Sequence, residues 1–206
     1  MLRILVPTAA SERGAKLTGF RVLFVCTANH CRSPIAEQLL RYTVSQKFAS
    51  PDAWTVESAG TDIPGRWPLH EYASAVLAER IPAVADHVST SMDTTIVRGA
   101  DLVLTATRRH RSVVASTVPA AIGRSFTILQ FARLCAEVSP IQGDDPGALG
   151  RQLVVEAKLA RSTLQPVPGD QDDLPDPIGQ PIAQFRVCAD RLQAAIDAIL
   201  RPLQPS

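Results

Sequence analysis

The feature that most constrains this chain is the alternation of short apolar, β-rich runs with stretches of helical period. Val22-Leu23-Phe24-Val25 is a continuous apolar run that stops at Cys26, the pattern of a strand covered on both faces. Ser33-Pro34 predicts a helix start, with serine as cap and proline at the first helical position, where its missing N–H costs nothing. Ile35, Leu39, Leu40 and Val44 then recur at helical spacing to about Lys47. The pattern repeats, with strands expected at 54–56, 101–104 and 125–129 and helices at 72–80 and 108–118. Strands alternating with helices imply a parallel sheet with helices on both faces. Ligands of such sheets sit at the carboxyl ends of the strands, which is where the loop after Cys26 would lie.

With 206 residues, 46% of them hydrophobic, the chain can build one core and has little left for a second, so a single domain over 21–206 is expected. Residues 1–20 show no sustained period and predict a mobile N-terminal arm. From 139 to 180 the composition turns to Pro, Gly and Asp around a helical piece at 149–163, which suggests an insertion at about 139–174, or a lid. A last amphipathic helix is expected over 182–200, with Phe185, Cys188, Leu192 and Ile196 on one face. The net charge of +1 creates no field that would gather nucleic acid or anionic membrane, so any anion attraction must be local. No apolar run approaches the roughly 18 to 20 residues that a bilayer requires, and the opening MLRILVP is too short for a signal-peptide core; a cytoplasmic protein is expected. Cysteines 26, 31, 135 and 188 are too scattered for a disulfide framework and lack zinc spacing, so no metal is expected. Thiol chemistry at one of them then competes with the plainer role of free cysteine as a small buried hydrophobe.

The candidate is Cys26-Thr27-Ala28-Asn29-His30-Cys31-Arg32-Ser33, which joins a buried strand to a helix N-terminus. Such a loop can curl so that successive backbone N–H groups form a nest for a tetrahedral anion, with Cys26 at its base. Arg32 is placed to fold back and hold two phosphate oxygens bidentately. The helix dipole, the amides and the Ser33 hydroxyl would favour thiolate at Cys26, with a pKa lowered from about 8.5 into the roughly 3.5 to 7.5 range. That predicts in-line attack on phosphorus and a cysteinyl-phosphate, with the nest and Arg32 stabilising charge in place of a metal.

Here the chain resembles the low-molecular-weight protein tyrosine phosphatase family, whose signature V-C-x-G-N-x-C-R-S-P reads VCTANHCRSP in this sequence. Glu57-Ser58-Ala59-Gly60-Thr61 is similar to the family's SAGT, His87 to the histidine after its second helix, and Asp176-Pro177 to its late Asp-Pro. The resemblance implies a three-layer αβα fold with a four-stranded parallel twisted sheet of flavodoxin-like order 2-1-3-4, and no cofactor. It implies Cys26 as nucleophile, Arg32 as phosphate clamp, Ser33 as thiolate stabiliser, residues Thr27 to Ser33 as the phosphate cradle, and Asn29, Ser58 and His87 as supports of the loop. Plainer readings make Ser58 a hydrogen-bonded strand end and His87 a surface histidine. Asparagine at 29 also suits a left-handed position, which few other side chains tolerate. Asp176 would protonate the leaving phenolate, with Asp172 and Asp173 as nearby substitutes for that role; Asp145-Pro146 reads instead as a helix cap.

The chain departs from the signature at Ala28, which fits only with negative φ, and at Ile178, where the family usually carries a tyrosine wall for the substrate ring. Trp67 is the alternative wall or a packing residue; His30 either adds positive charge near the substrate or faces solvent. Cys31 either packs under the loop or forms a reversible, protective disulfide with Cys26, as the family precedent implies. The implied partner is a phosphotyrosine protein such as a bacterial tyrosine kinase. The alternatives are arsenate reductase on the same fold, for which Cys135 and Cys188 lack the close pairing a disulfide relay needs, and a non-catalytic phosphoanion-binding module.

Overall fold

Period-two alternation in the first strand builds the molecule outward in two directions. In β1 (Phe20–Cys26), Phe20, Val22 and Phe24 enter the larger apolar core, while Leu23 and Val25 enter a smaller one behind the sheet. The computed structural model describes residues 19–48, 54–165 and 167–205. The arm expected over 1–20 lies outside them up to residue 18; Phe20, fully buried, already belongs to β1 because its ring is needed in the core.

The remaining elements are α1 (Arg32–Lys47), β2 (Trp54–Gly60), α2 (Glu71–Ala78), α3 (Thr94–Gly99), β3 (Leu102–Thr105), α4 (Arg108–Thr117), β4 (Ser125–Thr127), α5 (Ile128–Cys135), β5 (Ile141–Gly143), α6 (Pro146–Thr163), α7 (Ile182–Leu200) and β6 (Leu203–Pro205). The sheet is parallel with order β2-β1-β3-β4, as the resemblance implies. Residues from α1, α2, α5, α6 and α7 fill the core on one face, and residues from α3 and α4 that on the other. The strand expected at 125–129 stops at Thr127, whose hydroxyl accepts from Gln130 N (3.2 Å) and caps α5, so Ile128 and Leu129 are helical.

Asp145 caps α6 through Gly147 N (2.9 Å), with Pro146 at the first position. This helix does not cover the Cys26 loop. It runs past the amino ends of the strands, where Trp54 Nε1 donates to Pro146 O (2.8 Å) and Gly150 lies flat against the Phe20 ring. A Cβ at Gly150 would stand 2.6 Å from that ring, so only glycine permits the approach. β5 and β6 pair as a separate two-stranded parallel sheet.

Candidate active site

At the opposite, carboxyl end of the sheet, Cys26 closes β1 and the chain turns through Thr27–Cys31 into α1. The helix begins earlier than its Ser-Pro pair suggests: Cys31 is the cap, and Ser33 and Pro34 lie inside the first turn. The Ser33 hydroxyl does not cap because the sulfur has recruited it, at 3.0 Å from Cys26 Sγ.

The loop's shape rests on Asn29, fully buried and, among the described residues, the one non-glycine with positive φ (51°). Ala28 keeps a negative φ, so the departure from glycine there carries no backbone strain. Asn29 Nδ2 donates to Ser33 Oγ (3.0 Å) and Ser58 Oγ (2.7 Å), its Oδ1 accepts from Thr90 N (2.7 Å), and its carbonyl accepts from His87 Nε2 (2.7 Å). Directions follow from the amide, which can only donate through nitrogen. Ser58 Oγ donates to the buried carboxylate of Glu37, and Ser33 Oγ, 3.5 Å from Ala59 O, stands 3.0 Å from Cys26 Sγ. The result is a buried network centred on Asn29, which donates to Ser58 on the Glu37 side and to Ser33 on the Cys26 side. Gly60 closes the rear: a Cβ there would meet Thr27 O at 2.4 Å and Asn29 N at 3.0 Å.

Among the described residues, the backbone N–H groups of Thr27 to Cys31 donate to no protein acceptor. Five consecutive free donors at a helix N-terminus form the kind of nest that can hold a tetrahedral anion. Arg32 lies beside them, 5% exposed rather than out in solvent. Its Nη1 donates to Leu174 O (3.2 Å), and its Nη2 is ion-paired with Asp176. Asp176 itself is about half exposed, at 46%, with Oδ1 accepting from Ile178 N (3.2 Å).

Two of the groups near the mouth are aromatic. His30 Nδ1 donates to Pro68 O, His70 N donates to His30 O (3.0 Å), and the Trp67 ring stands 5.8 Å from that of His30. Trp67 and Ile178 are each 45% exposed. Cys31 is buried in the larger core, and burial, with Cys188 and Cys26 adding to it, pushes its thiol well above the ordinary range. Asp173 accepts from Arg108 N (2.8 Å) and Asp172 is paired with Arg133, so both neighbours of the Asp-Pro loop are engaged elsewhere. No group of three or more His, Cys, Asp or Glu among the described residues could hold a metal.

Sequence reasoning missed Glu37, Thr90 and His110. Glu37 and Thr90 show only once the fold brings distant segments together. His110 left a trace: Thr107-x-x-His110 places a capping threonine three residues before it, and Thr107 Oγ1 does accept from His110 N (3.3 Å).

The family model for low molecular weight phosphotyrosine protein phosphatase matches residues 21–153. A protein-arginine-phosphatase of Geobacillus stearothermophilus is 28% identical over 185 residues, covering 90% of this chain and 97% of its own. The low molecular weight protein-tyrosine-phosphatase Etp of Escherichia coli (strain K12) is 29% identical over 117 residues, 57% of this chain and 74% of its own. The crystal structure of the low molecular weight protein tyrosine phosphatase from T. tengcongensis superposes with a TM-score of 0.65 at 27% identity, covering 88% of this chain and 98% of that one. The strand order, the Cys26 loop and these matches agree: the chain belongs to the low molecular weight phosphotyrosine protein phosphatase family.

Proposed function

We propose that this chain hydrolyses phosphorylated tyrosine on proteins through a cysteinyl-phosphate at Cys26. The observation that carries the reading is the run of five unengaged amides that follows Cys26, with the Ser33 hydroxyl 3.0 Å from Cys26 Sγ and the Arg32 guanidinium buried beside them. The sulfur attacks phosphorus in line, the bond from phosphorus to the phenolic oxygen breaks, and the Asp176 carboxyl delivers its proton to that oxygen. Water then attacks phosphorus, Asp176 takes its proton, and the bond from phosphorus to sulfur breaks. Amides of Thr27 to Ser33 and the Arg32 fork stabilise the equatorial oxygens throughout. Arg32 must exchange Asp176 and Leu174 O for phosphoryl oxygens, which frees the aspartate at the moment substrate arrives. Asn29, Ser58 and His87 keep the loop in shape; Trp67 and Ile178 wall the ring. The work belongs in the cytoplasm, where a catalytic thiol stays reduced, with a phosphorylated bacterial tyrosine kinase as the kind of protein acted on.

A second reading is favoured by the length of the match to the protein-arginine-phosphatase and by Ile178, which offers no aromatic face: the substrate is phosphoarginine, and Asp176 protonates the departing guanidine nitrogen.

Hydrolysis of p-nitrophenyl phosphate in the presence of a chelator tests the chemistry. Turnover is expected, inhibited by vanadate and reduced to below about one ten-thousandth in Cys26→Ser; full activity in that variant would reject the mechanism. The ratio of kcat/KM on phosphotyrosine and phosphoarginine peptides decides between the two substrates.

A further inference from the structure

The catalytic reading leaves unused a buried histidine that touches the nucleophile's own loop. His110, 6% exposed, sits between two threonines, with Nδ1 2.7 Å from Thr107 Oγ1 and Nε2 2.9 Å from Thr27 Oγ1. Thr27 follows the nucleophile directly, is exposed, and has a free backbone N–H. We propose that the Thr27 hydroxyl is a further donor to the bound phosphoryl group and that His110 is its positioning residue; the proposal rests on the phosphatase reading and adds a contact to it.

Proton accounting gives the direction. Thr107 Oγ1 already accepts from His110 N, and among the described residues the acceptor within reach of its hydroxyl proton is His110 Nδ1. Nδ1 is therefore the unprotonated nitrogen, and the neutral ring carries its hydrogen on Nε2, which donates to Thr27 Oγ1. With its oxygen occupied as an acceptor, Thr27 keeps its own proton free for the bound phosphoryl group. Burial, helped by the Arg32 charge, lowers the His110 pKa to about 4, so the ring keeps one donor and one acceptor at neutral pH. A protonated ring would donate from both nitrogens and break this order. That Arg32 and Asp176 both bear on the ring's charge puts His110 on the same side as the groups expected to handle phosphate.

The test is orthovanadate affinity by calorimetry, which needs no turnover, alongside kcat/KM on p-nitrophenyl phosphate. Thr27→Val keeps the shape and removes the hydroxyl; a hydrogen bond to a charged group is worth about a 10- to 100-fold loss in both measurements. His110→Leu is expected to lose as much, and Thr27→Val with His110→Leu no more than either alone. His110→Gln, whose amide nitrogen reaches the place of Nε2, recovers most of the loss, whereas His110→Asn stops at the place of Nδ1 and does not. Nitrogen-15 spectra of the imidazole should show the neutral ring protonated at Nε2. Vanadate bound by Thr27→Val as tightly as by the wild type, losses that multiply in the double variant, or a ring protonated at Nδ1 would each overturn the proposal. A wild-type chain that binds no vanadate would instead remove the anion site, and the phosphatase reading with it.

Discussion

The two ends of the same parallel sheet are built from different materials. At the carboxyl ends, Asn29, Arg32, Ser33, Glu37, Ser58 and His110 are all buried polar groups, joined by hydrogen bonds to one another, to backbone or, for His110, to threonine hydroxyls. At the amino ends, the Trp54 ring lies 4.6 Å from that of Phe20 and 6.0 Å from that of Phe48, with Leu149 and Leu153 of α6 in the same core. Burying each such aromatic contributes about 1.5 to 3 kcal/mol, whereas a buried polar group contributes little net and costs heavily when a partner is lost. The sheet thus separates stability from chemistry: the apolar end can hold the polar end in a shape it could not hold by itself.

Breaking that division should give effects of graded size. Asp176→Asn removes the half-exposed carboxylate paired with Arg32, and kcat should fall by about 100- to 10,000-fold. Its melting temperature should fall only slightly, because the asparagine amide oxygen can still accept from the buried Arg32 guanidinium. A dependence of kcat/KM on leaving-group pKa no steeper in the variant than in the wild type would argue against a proton-donor role. Gly60→Ala forces a Cβ against Thr27 O and Asn29 N, backbone atoms that cannot move aside without deforming the loop. Misplacing the nucleophile by such amounts costs about 100-fold in kcat/KM. Gly150→Ala makes a clash of similar closeness, with the Phe20 ring at the other end. There the expected result is about 1 to 3 kcal/mol of lost stability by denaturant titration, with kcat unchanged. If Gly150→Ala lowered kcat, the two ends would be coupled and the contrast would fail.

Parts of this contrast were legible in the sequence and parts were not. The last helix could be read end to end, because Phe185, Cys188, Leu192 and Ile196 repeat at helical period and all four are buried on one face. The buried loop after Cys26 was legible because a cysteine, an asparagine and an arginine stand between an apolar strand and a helix, each with its own chemical reason to be there. The start of α5 was misread as strand, since Ser125-Phe126-Thr127-Ile128-Leu129 has the composition of either; the decisive signal was Thr127-x-x-Gln130, a capping pattern. Ser33 misled in the opposite sense: its hydroxyl suits a cap but serves the sulfur, so the helix begins at Arg32. Bonds spanning dozens of residues, such as Thr27 to His110 and Asn29 to Thr90, leave no local pattern, and only the fold reveals them.

The smallest expected effect sharpens the contrast through pH. His110 faces Thr27 and Thr107, with Arg32, Asp176, Arg109 and Asp173 bearing on its charge, and burial holds its pKa at about 4 against an ordinary 6.5. The folded state thus prefers the neutral ring, while the unfolded chain takes up a proton below about pH 6.5. The unfolded state binds the extra proton, so stability should rise with pH across the window from about 4 to 6.5 and level off above it. His110→Gln has nothing to titrate there and should flatten that part of the curve, measured as denaturation midpoints at constant ionic strength. Gly150→Ala should lower the whole curve without changing its slope, since no ionisable group is involved. Equal slopes in the wild type and His110→Gln would mean that the buried ring does not pass from neutral to charged on unfolding, and that the polar end owes its acid sensitivity to its carboxylates instead.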